Sequence, residues 1–404
     1  MTAVEEGVAE VPLRRNREFR LLWVGQALSD FGSAMAGLAL PLVLLAAGYG
    51  PAEAGLIGTV VLVVGMVVRV PSGYLADRSD SRALMLVSDL ARLAVVAVAA
   101  VWLLAGRLPL WVALLVVVVS AVALEAFRPA QNKVVRRVVP ADQLGHAVSL
   151  NQARMYGASI AAPAVAGVLI ALGPWIPFAA NAVTFAVSAW CIFLLARTPA
   201  PVTSATREKF WPEVSAGLKY VVRDRFLRQS SVYFALLNLV FSALSYALIL
   251  GAATQPGGAA AVGVAMSSAA LAGLAGSLLA PYVAKRVSLR VVLMAGPVLS
   301  AALLVLAWSG GGTVPFVAAF SALCLLTPVI GAVLATIMAK AVPEDVYGRV
   351  TAASSFASQL LQPLGPGLAG LVLAHLTFSA TAGLFAVCLG ALALIALLVP
   401  TPSH

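Results

Sequence analysis

Apolar residues run along this chain in twelve blocks, each closed by Gly, Pro or a cluster of charge. The blocks fall at 20–47, 54–76, 83–105, 109–130, 144–171, 174–196, 229–251, 258–283, 290–309, 314–338, 347–374 and 377–399. They are too long and too continuous for the alternating strands of a barrel. In a bilayer every backbone N–H and C=O must be satisfied within its own segment, so the pattern predicts twelve membrane-spanning helices. One long polar interval, 197–228, divides the series into six and six. Inside it a helix is expected at 208–223, with Phe210, Val214, Leu218, Val221 and Val222 on one face. Lys209, Glu213 and Lys219 lie off that stripe, which suits a helix lying in the membrane interface. The expected organisation is a tail at 1–19, a six-helix bundle at 20–196, a linker at 197–228, a second bundle at 229–399 and a short tail at 400–404.

Composition narrows the class. Apolar residues make up 61% of 404, about 246, and twelve spans of roughly 20 residues would use nearly all of them. Charged residues are only 10%, against ~25% in a soluble domain. These values exclude a soluble enzyme, a disordered chain and a nucleic-acid binder, despite a net charge of +10. The charge instead reports topology. Twenty-two of the 26 Lys and Arg fall at one end of the helices, and the opposite loops carry Arg107 alone. Arg69, Arg92 and Arg154 lie within spans. Basic loops stay cytosolic, so both termini are expected there, with the basic belt against anionic headgroups. The Ala/Val/Leu/Arg bias points to a bacterial inner membrane.

Three cysteines (Cys191, Cys324, Cys388) sit in apolar runs, and three histidines (His146, His375, His404) are scattered. Neither set has metal-ligand spacing or makes a catalytic cluster, so no metal, no cofactor and no enzyme activity is expected. His375 reads as a solvated residue at the outer end of helix 11. No G-x-x-x-x-G-K-[ST] loop occurs, so work done by this chain would draw on an ion gradient.

The two halves repeat. Ala76-Asp77-Arg78-Ser79-Asp80-Ser81-Arg82 and Ala284-Lys285-Arg286-Val287-Ser288-Leu289-Arg290 share A-x-R-x-x-x-R, 208 residues apart, with Tyr74 matching Tyr282. Val139-Pro140-Ala141-Asp142 matches Val342-Pro343-Glu344-Asp345 at a shift of 203. The same shift carries Pro163-Ala164-Val165-Ala166-Gly167 onto Pro366-Gly367-Leu368-Ala369-Gly370. Duplicated bundles about a midplane site are the architecture of alternating-access transporters.

Twelve helices, a central linker and Gly73-x-x-x-Asp77-Arg78-x-x-x-Arg82 together resemble the major facilitator superfamily, whose loop signature is G-x-x-x-D-R/K-x-G-R-R/K. The sequence departs from it at Asp80, where glycine is usual, and at Ser81, where a base is usual. The likeness covers about residues 16–400. Phe19-Arg20-Leu21-Leu22-Trp23-Val24-Gly25-Gln26, Phe127-Arg128-Pro129-Ala130 and Val139-Pro140-x-Asp142-x-Leu144 resemble its macrolide-efflux and enterobactin-exporter branch. The fold class so implied is an all-α membrane protein of two pseudo-symmetric six-helix bundles. The resemblance also implies that Asp77 faces the start of helix 11, near Tyr347-Gly348-Arg349, and latches the halves on the cytosolic side. Arg78 and Arg82 would pair with nearby carboxylates. Pro163 and Gly167 resemble part of the exporters' G-P-x-x-G-G motif, which the family associates with export by antiport, and Gly365, Pro366 and Gly370 form its counterpart. Small-residue packing and helix bending are the simpler reading of both.

Carboxylates inside spans cost roughly 2.5–3.5 kcal/mol each to insert and are functional candidates by default. Asp30 lies about 14 Å into helix 1, at 1.5 Å per residue. It is read either as a proton- or substrate-coupling group or as the partner of Arg154. Glu125 is read as a second proton site or as the partner of Arg128, three residues on. Asp89 and Arg92 are expected to satisfy each other. From Arg225 to Val342, and again after Asp345, there is no Asp or Glu, so carboxylate proton chemistry is confined to the first half. Gln26, Phe31, Tyr156, Asn238, Tyr246, Gln359 and Gln362 are candidate pocket-lining residues. The expected function is proton-coupled export of an amphipathic organic compound (drug, macrolide or siderophore-like) by a monomer. The alternatives are an importer or uniporter of a small metabolite, or a non-transporting receptor or assembly protein on the same scaffold. The expected partners are a small-molecule substrate, protons and the lipid bilayer, without nucleic acid.

Overall fold

The computed structural model describes residues 13–196, 210–255, 257–284 and 286–400; the side chains of 210–216, 311 and 345 are outside that description. The tail before Leu13, the linker segment 197–209, Lys285 and residues 401–404 therefore lie outside the described residues. Within them the chain forms α-helices and no strand. The first half holds α1 (Arg17–Ala46), α2 (Pro51–Arg78), α3 (Ser81–Leu104), α4 (Leu110–Val138), α5 (Leu144–Leu172) and α6 (Ile176–Phe193). The linker helix α7 (Phe210–Arg223) follows. The second half holds α8 (Arg225–Ala252), α9 (Gly258–Val283), α10 (Leu289–Leu306), α11 (Thr313–Ala341), α12 (Glu344–Gln359), α13 (Leu364–His375) and α14 (Phe378–Ala396).

Local chemistry sets the ends. Asn16 caps α1 by accepting from the Phe19 amide at 3.1 Å, and Asp224 caps α8 by accepting from Leu227 at 2.8 Å. Asp80 caps α3 by accepting from the Arg82 and Ala83 amides at 2.8 and 3.1 Å. That accounts for aspartate where the superfamily loop usually has glycine: only two residues separate α2 from α3, and one of them must terminate the new helix. The expected end of helix 4 at 130 is corrected to Val138. Arg136 and Arg137 ride in the last turn of α4, where cations favour the helix dipole.

Among the described residues, eleven helices are long and apolar enough to cross a membrane. The eleventh expected span, 347–374, is not one helix. It breaks between α12 and α13 at 360–363. Pro363 brings no N–H and Gly365-Pro366-Gly367 follows, so the ladder gives way to short turns, Gln362 N to Gln359 O and Gly365 N to Gln362 O, both 3.1 Å. The Asn238 amide of α8 then donates to the freed Ser358 carbonyl at 2.9 Å.

Packing repeats with the sequence. The first half pairs α1 with α5 and α6, α2 with α4, and α3 with α4 and α6. The second half pairs α8 with α13 and α14, α9 with α11, and α10 with α11 and α14. Each first-half pairing has its counterpart. The halves join through α2 on α13 and α5 on α9. The linker helix is not merely interfacial. Gly217 of α7 approaches the Arg349 carbonyl so closely that a Cβ would lie 2.6 Å from it, and Val221 is buried, while Leu218 and Val222 remain exposed.

Candidate functional site

Seven charged side chains meet inside the first bundle. Arg154 of α5 lies 3.0 Å from the Asp30 carboxylate of α1, with side-chain exposures of 6% and 30%. Arg154 is thus the partner that one of the two readings of Asp30 expected, and the carboxylate retains partial access. Arg92 and Arg128 also act on Asp30 electrostatically. Asp89 and Arg92 of α3 are in contact and buried, as expected, and the guanidinium lies over the rings of Phe127 and Phe185 at 5.0 and 4.6 Å. Glu125 of α4 pairs with Arg128 at 3.7 Å and with Arg69 of α2 at 3.3 Å. Arg69 was not identified from sequence as that partner, because the two positions share no local spacing. Three carboxylates therefore face four arginines, of which Arg69 and Arg128 are half-exposed.

At the basic end, Asp77 does not meet helix 11. Its carboxylate forms an ion pair with Lys133 of α4 at 2.7 Å, the ammonium also donating to the Ala76 carbonyl at 2.9 Å, and α12 packs on the linker helix α7 and on α8. Arg82 does not pair with a carboxylate. It donates to the Ile192 and Phe193 carbonyls, satisfying the end of α6, and Arg78 stacks over Tyr74 at 4.2 Å. At Gly73 a Cβ would meet nothing within 4 Å.

At the opposite end the halves close on one another through small residues. A Cβ on Gly55 of α2 would lie 2.4 Å from the Pro366 carbonyl, and one on Gly370 would lie 2.3 Å from the Pro51 carbonyl. On the other flank, a Cβ on Gly263 of α9 would lie 2.4 Å from the Pro163 carbonyl, and one on Gly167 would lie 2.7 Å from the Ala259 carbonyl. Glycine is required here by space, not by φ. Gly365 makes the same kind of approach to Ser242 and Ala243 within its own half. Two hydrogen bonds cross this seam. The Gly367 amide donates to Thr59 Oγ1 at 2.9 Å, and the Ala164 amide donates to Ser267 Oγ at 3.1 Å. Gly55 and Gly263, like Thr59 and Ser267, are 208 residues apart; the donors are 203 apart, each following a proline. The shifts already visible in the loops and proline motifs lead to both pairs.

The candidate pocket residues divide. Gln26 is buried and donates to Ser188 of α6 at 3.1 Å, which removes it from any lining. Phe31 packs against the core, and Tyr246 stacks its ring edge on Gly58, where the glycine leaves room. Tyr156 is exposed, and Gln359 donates back to Ser355 at 3.2 Å. Asn238 and Gln362 border a cavity of about 300 Å³ within the second bundle. His375 closes α13 and is exposed.

A family description, Major Facilitator Superfamily, matches residues 22–255. Macrolide efflux protein A of Streptococcus pyogenes is 28% identical over 153 residues, 38% of this chain and 38% of that protein. The alignable part thus spans well under half of that relative. The nucleoside transporter NupG superposes with a TM-score of 0.76 at 13% identity, covering 96% of this chain and 99% of its own. A bacterial homologue of the iron transporter ferroportin, in an inward-facing state, gives 0.73 at 17% identity, over 96% and 98%. At such identities the likeness is one of fold.

Proposed function

The chain belongs to the Major Facilitator Superfamily, and from that premise we propose that it exports an amphipathic organic compound by alternating access, driven by inward proton flow. The observation that carries this reading is the two-flanked seam. The halves, proposed as 20–196 and 229–399, are sealed by glycine contacts at the end remote from the basic belt. At the belt end Asp77 is engaged within its own half. With the termini in the cytosol of a bacterial cell, this is the inward-facing member of a pair of states, and the Asp77 latch belongs to the other. The direction of transport draws on the partial match to a macrolide efflux protein.

Asp30 is the coupling group in this scheme. Its partner lies on another helix, α5, and it is the most accessible of the three clustered carboxylates, at 30% against 10% for Glu125 and 0% for Asp89. Protonation of the carboxylate releases Arg154, loss of the proton restores the pair, and the side the cavity faces governs where each occurs. Asp89 is fully enclosed and serves the bundle. The test is substrate flux in proteoliposomes under an imposed pH gradient. Wild-type flux should follow the gradient, and Asp30→Asn should transport without responding to it. Flux indifferent to the gradient, or an Asp30→Asn protein that remains fully proton-coupled, would overturn the proposal and leave a uniporter.

A further inference from the structure

Buried polar atoms without a hydrogen-bond partner are rare, and each needs an explanation. Among the described residues such side-chain atoms occur in two places. One is the pair of buried ion pairs Asp30–Arg154 and Asp89–Arg92. The other is a patch of four neutral groups where α8 meets α12: Gln229 Oε1, Ser230 Oγ, Thr351 Oγ1 and Ser354 Oγ. Ser230 and Ser354 line the cavity of about 300 Å³ between α8, α10, α11 and α12, and Ser230 is 5% exposed. The cavity extends to Asn238 and Gln362, beside the break between α12 and α13. A spanning helix is interrupted at membrane depth only where the exposed backbone is buried in protein or lines a cavity. Ser231, Thr327, Ser355 and Ser358 add hydroxyls to an otherwise apolar wall, and no Asp, Glu, Lys or Arg contributes to it.

Hydroxyls and amides without a fixed partner can accept from or donate to a neutral guest, whereas an ion brought here would lose its hydration with no counter-charge. The nearest carboxylates in the other half are already matched by an excess of arginine, so they do not compensate a cationic guest. We propose that this cavity is a ligand-binding site of the second bundle, and that it selects uncharged, largely apolar compounds bearing hydroxyl, carbonyl or amide groups. The volume is at the lower end for a drug-sized ligand. This deepens the transport reading by naming the charge class of the compound and rests on that reading for its purpose, but binding is measurable without transport.

The experiment uses the full chain in lipid nanodiscs and equilibrium dialysis of size-matched probes: chloramphenicol (an uncharged amide diol), tetraphenylphosphonium (a cation) and an aryl sulfonate (an anion). Uncharged binding is expected to dominate. Ser230→Ala and Ser354→Ala should each weaken it about three- to tenfold, the value of one neutral hydrogen bond. Gly331 of α11 lines the cavity, and a Cβ there would meet no atom within 4 Å. Gly331→Leu should therefore fill the space without a clash and abolish binding while the protein keeps its melting temperature. The proposal is overturned if the cation or the anion binds more tightly than the uncharged probe, if no probe binds, or if Gly331→Leu leaves uncharged binding intact. Binding with these dependences but no flux would sink the transport reading alone, whereas gradient-driven flux with binding untouched by Gly331→Leu would sink this one alone.

Discussion

The outer seam makes a quantitative prediction. Thr59 and Ser267 each accept one backbone N–H from the facing half, at 2.9 and 3.1 Å. The donors directly follow Pro366 and Pro163 in α13 and α5. Thr59→Val keeps the volume and removes the acceptor, and Ser267→Ala removes little else. Each bond is neutral and part-buried, so each contributes about 1 kcal/mol to the closed seam. The two lie on opposite flanks and share no partner, so their effects should add. Loss of both, about 2 kcal/mol, shifts the balance between seam-closed and seam-open forms by roughly 30-fold. Spin labels at Arg107 and Ser309, exposed sites at the same end of the two halves, would report this as growth of a longer distance in pulsed dipolar spectra of protein in nanodiscs. Each single variant should give an intermediate distribution. A double variant with the wild-type distribution would refute the view that these bonds hold the seam; so would an effect confined to one flank.

Two other sites separate structural from functional charge. Asp89→Asn or Arg92→Met alone leaves a buried charge unpaired and should lower stability by about 3–5 kcal/mol in a detergent-unfolding assay, whereas the double variant should recover much of it. The Asp77–Lys133 pair is partly exposed on both sides, so Asp77→Asn should cost under about 1 kcal/mol in the same assay. It should nevertheless slow flux in proteoliposomes, because the latch of the opposite state is lost; unchanged turnover would remove Asp77 from the gate.

Spans, repeat and superfamily were all legible in the sequence because membrane insertion writes them in composition and spacing. A span needs a run of apolar residues, and a duplicated loop keeps its Arg spacing. The pairs Asp89–Arg92 and Glu125–Arg128 were legible for the same reason, being three residues apart on one helix. Arg69 with Glu125, Asp77 with Lys133 and Arg82 with the end of α6 were not, because each depends on which helices pack together. Gln26 resembled a pocket residue because polarity within a span suggests a ligand; Ser188, facing it from α6, satisfies that polarity instead. The break in the eleventh span had a signal in Gln362-Pro363-Leu364-Gly365-Pro366. Continuous hydropathy masked it, since a hydropathy window is indifferent to a missing N–H.

The duplication has kept some features and discarded others, and the difference follows from what each requires. The seam needs only glycine, the amide after a proline, and a small hydroxyl opposite it; none of these is expensive in a bilayer, and both copies retain all three. Charge at membrane depth is expensive and persists only where it is paired, so the second copy could lose it without losing its packing. In its place the second half holds a cavity of hydroxyls and amides beside a broken helix. On the proposed reading, the proton is handled in one half and the uncharged ligand in the other. Neither can sense the other by direct charge contact, so coupling must pass through the relative motion of the halves. Weakening the seam should then loosen coupling even with Asp30 and the cavity intact: Thr59→Val with Ser267→Ala should lower the amount of compound moved per proton, read from paired flux and pH measurements in proteoliposomes. An unchanged ratio would mean that ligand and proton communicate within one bundle.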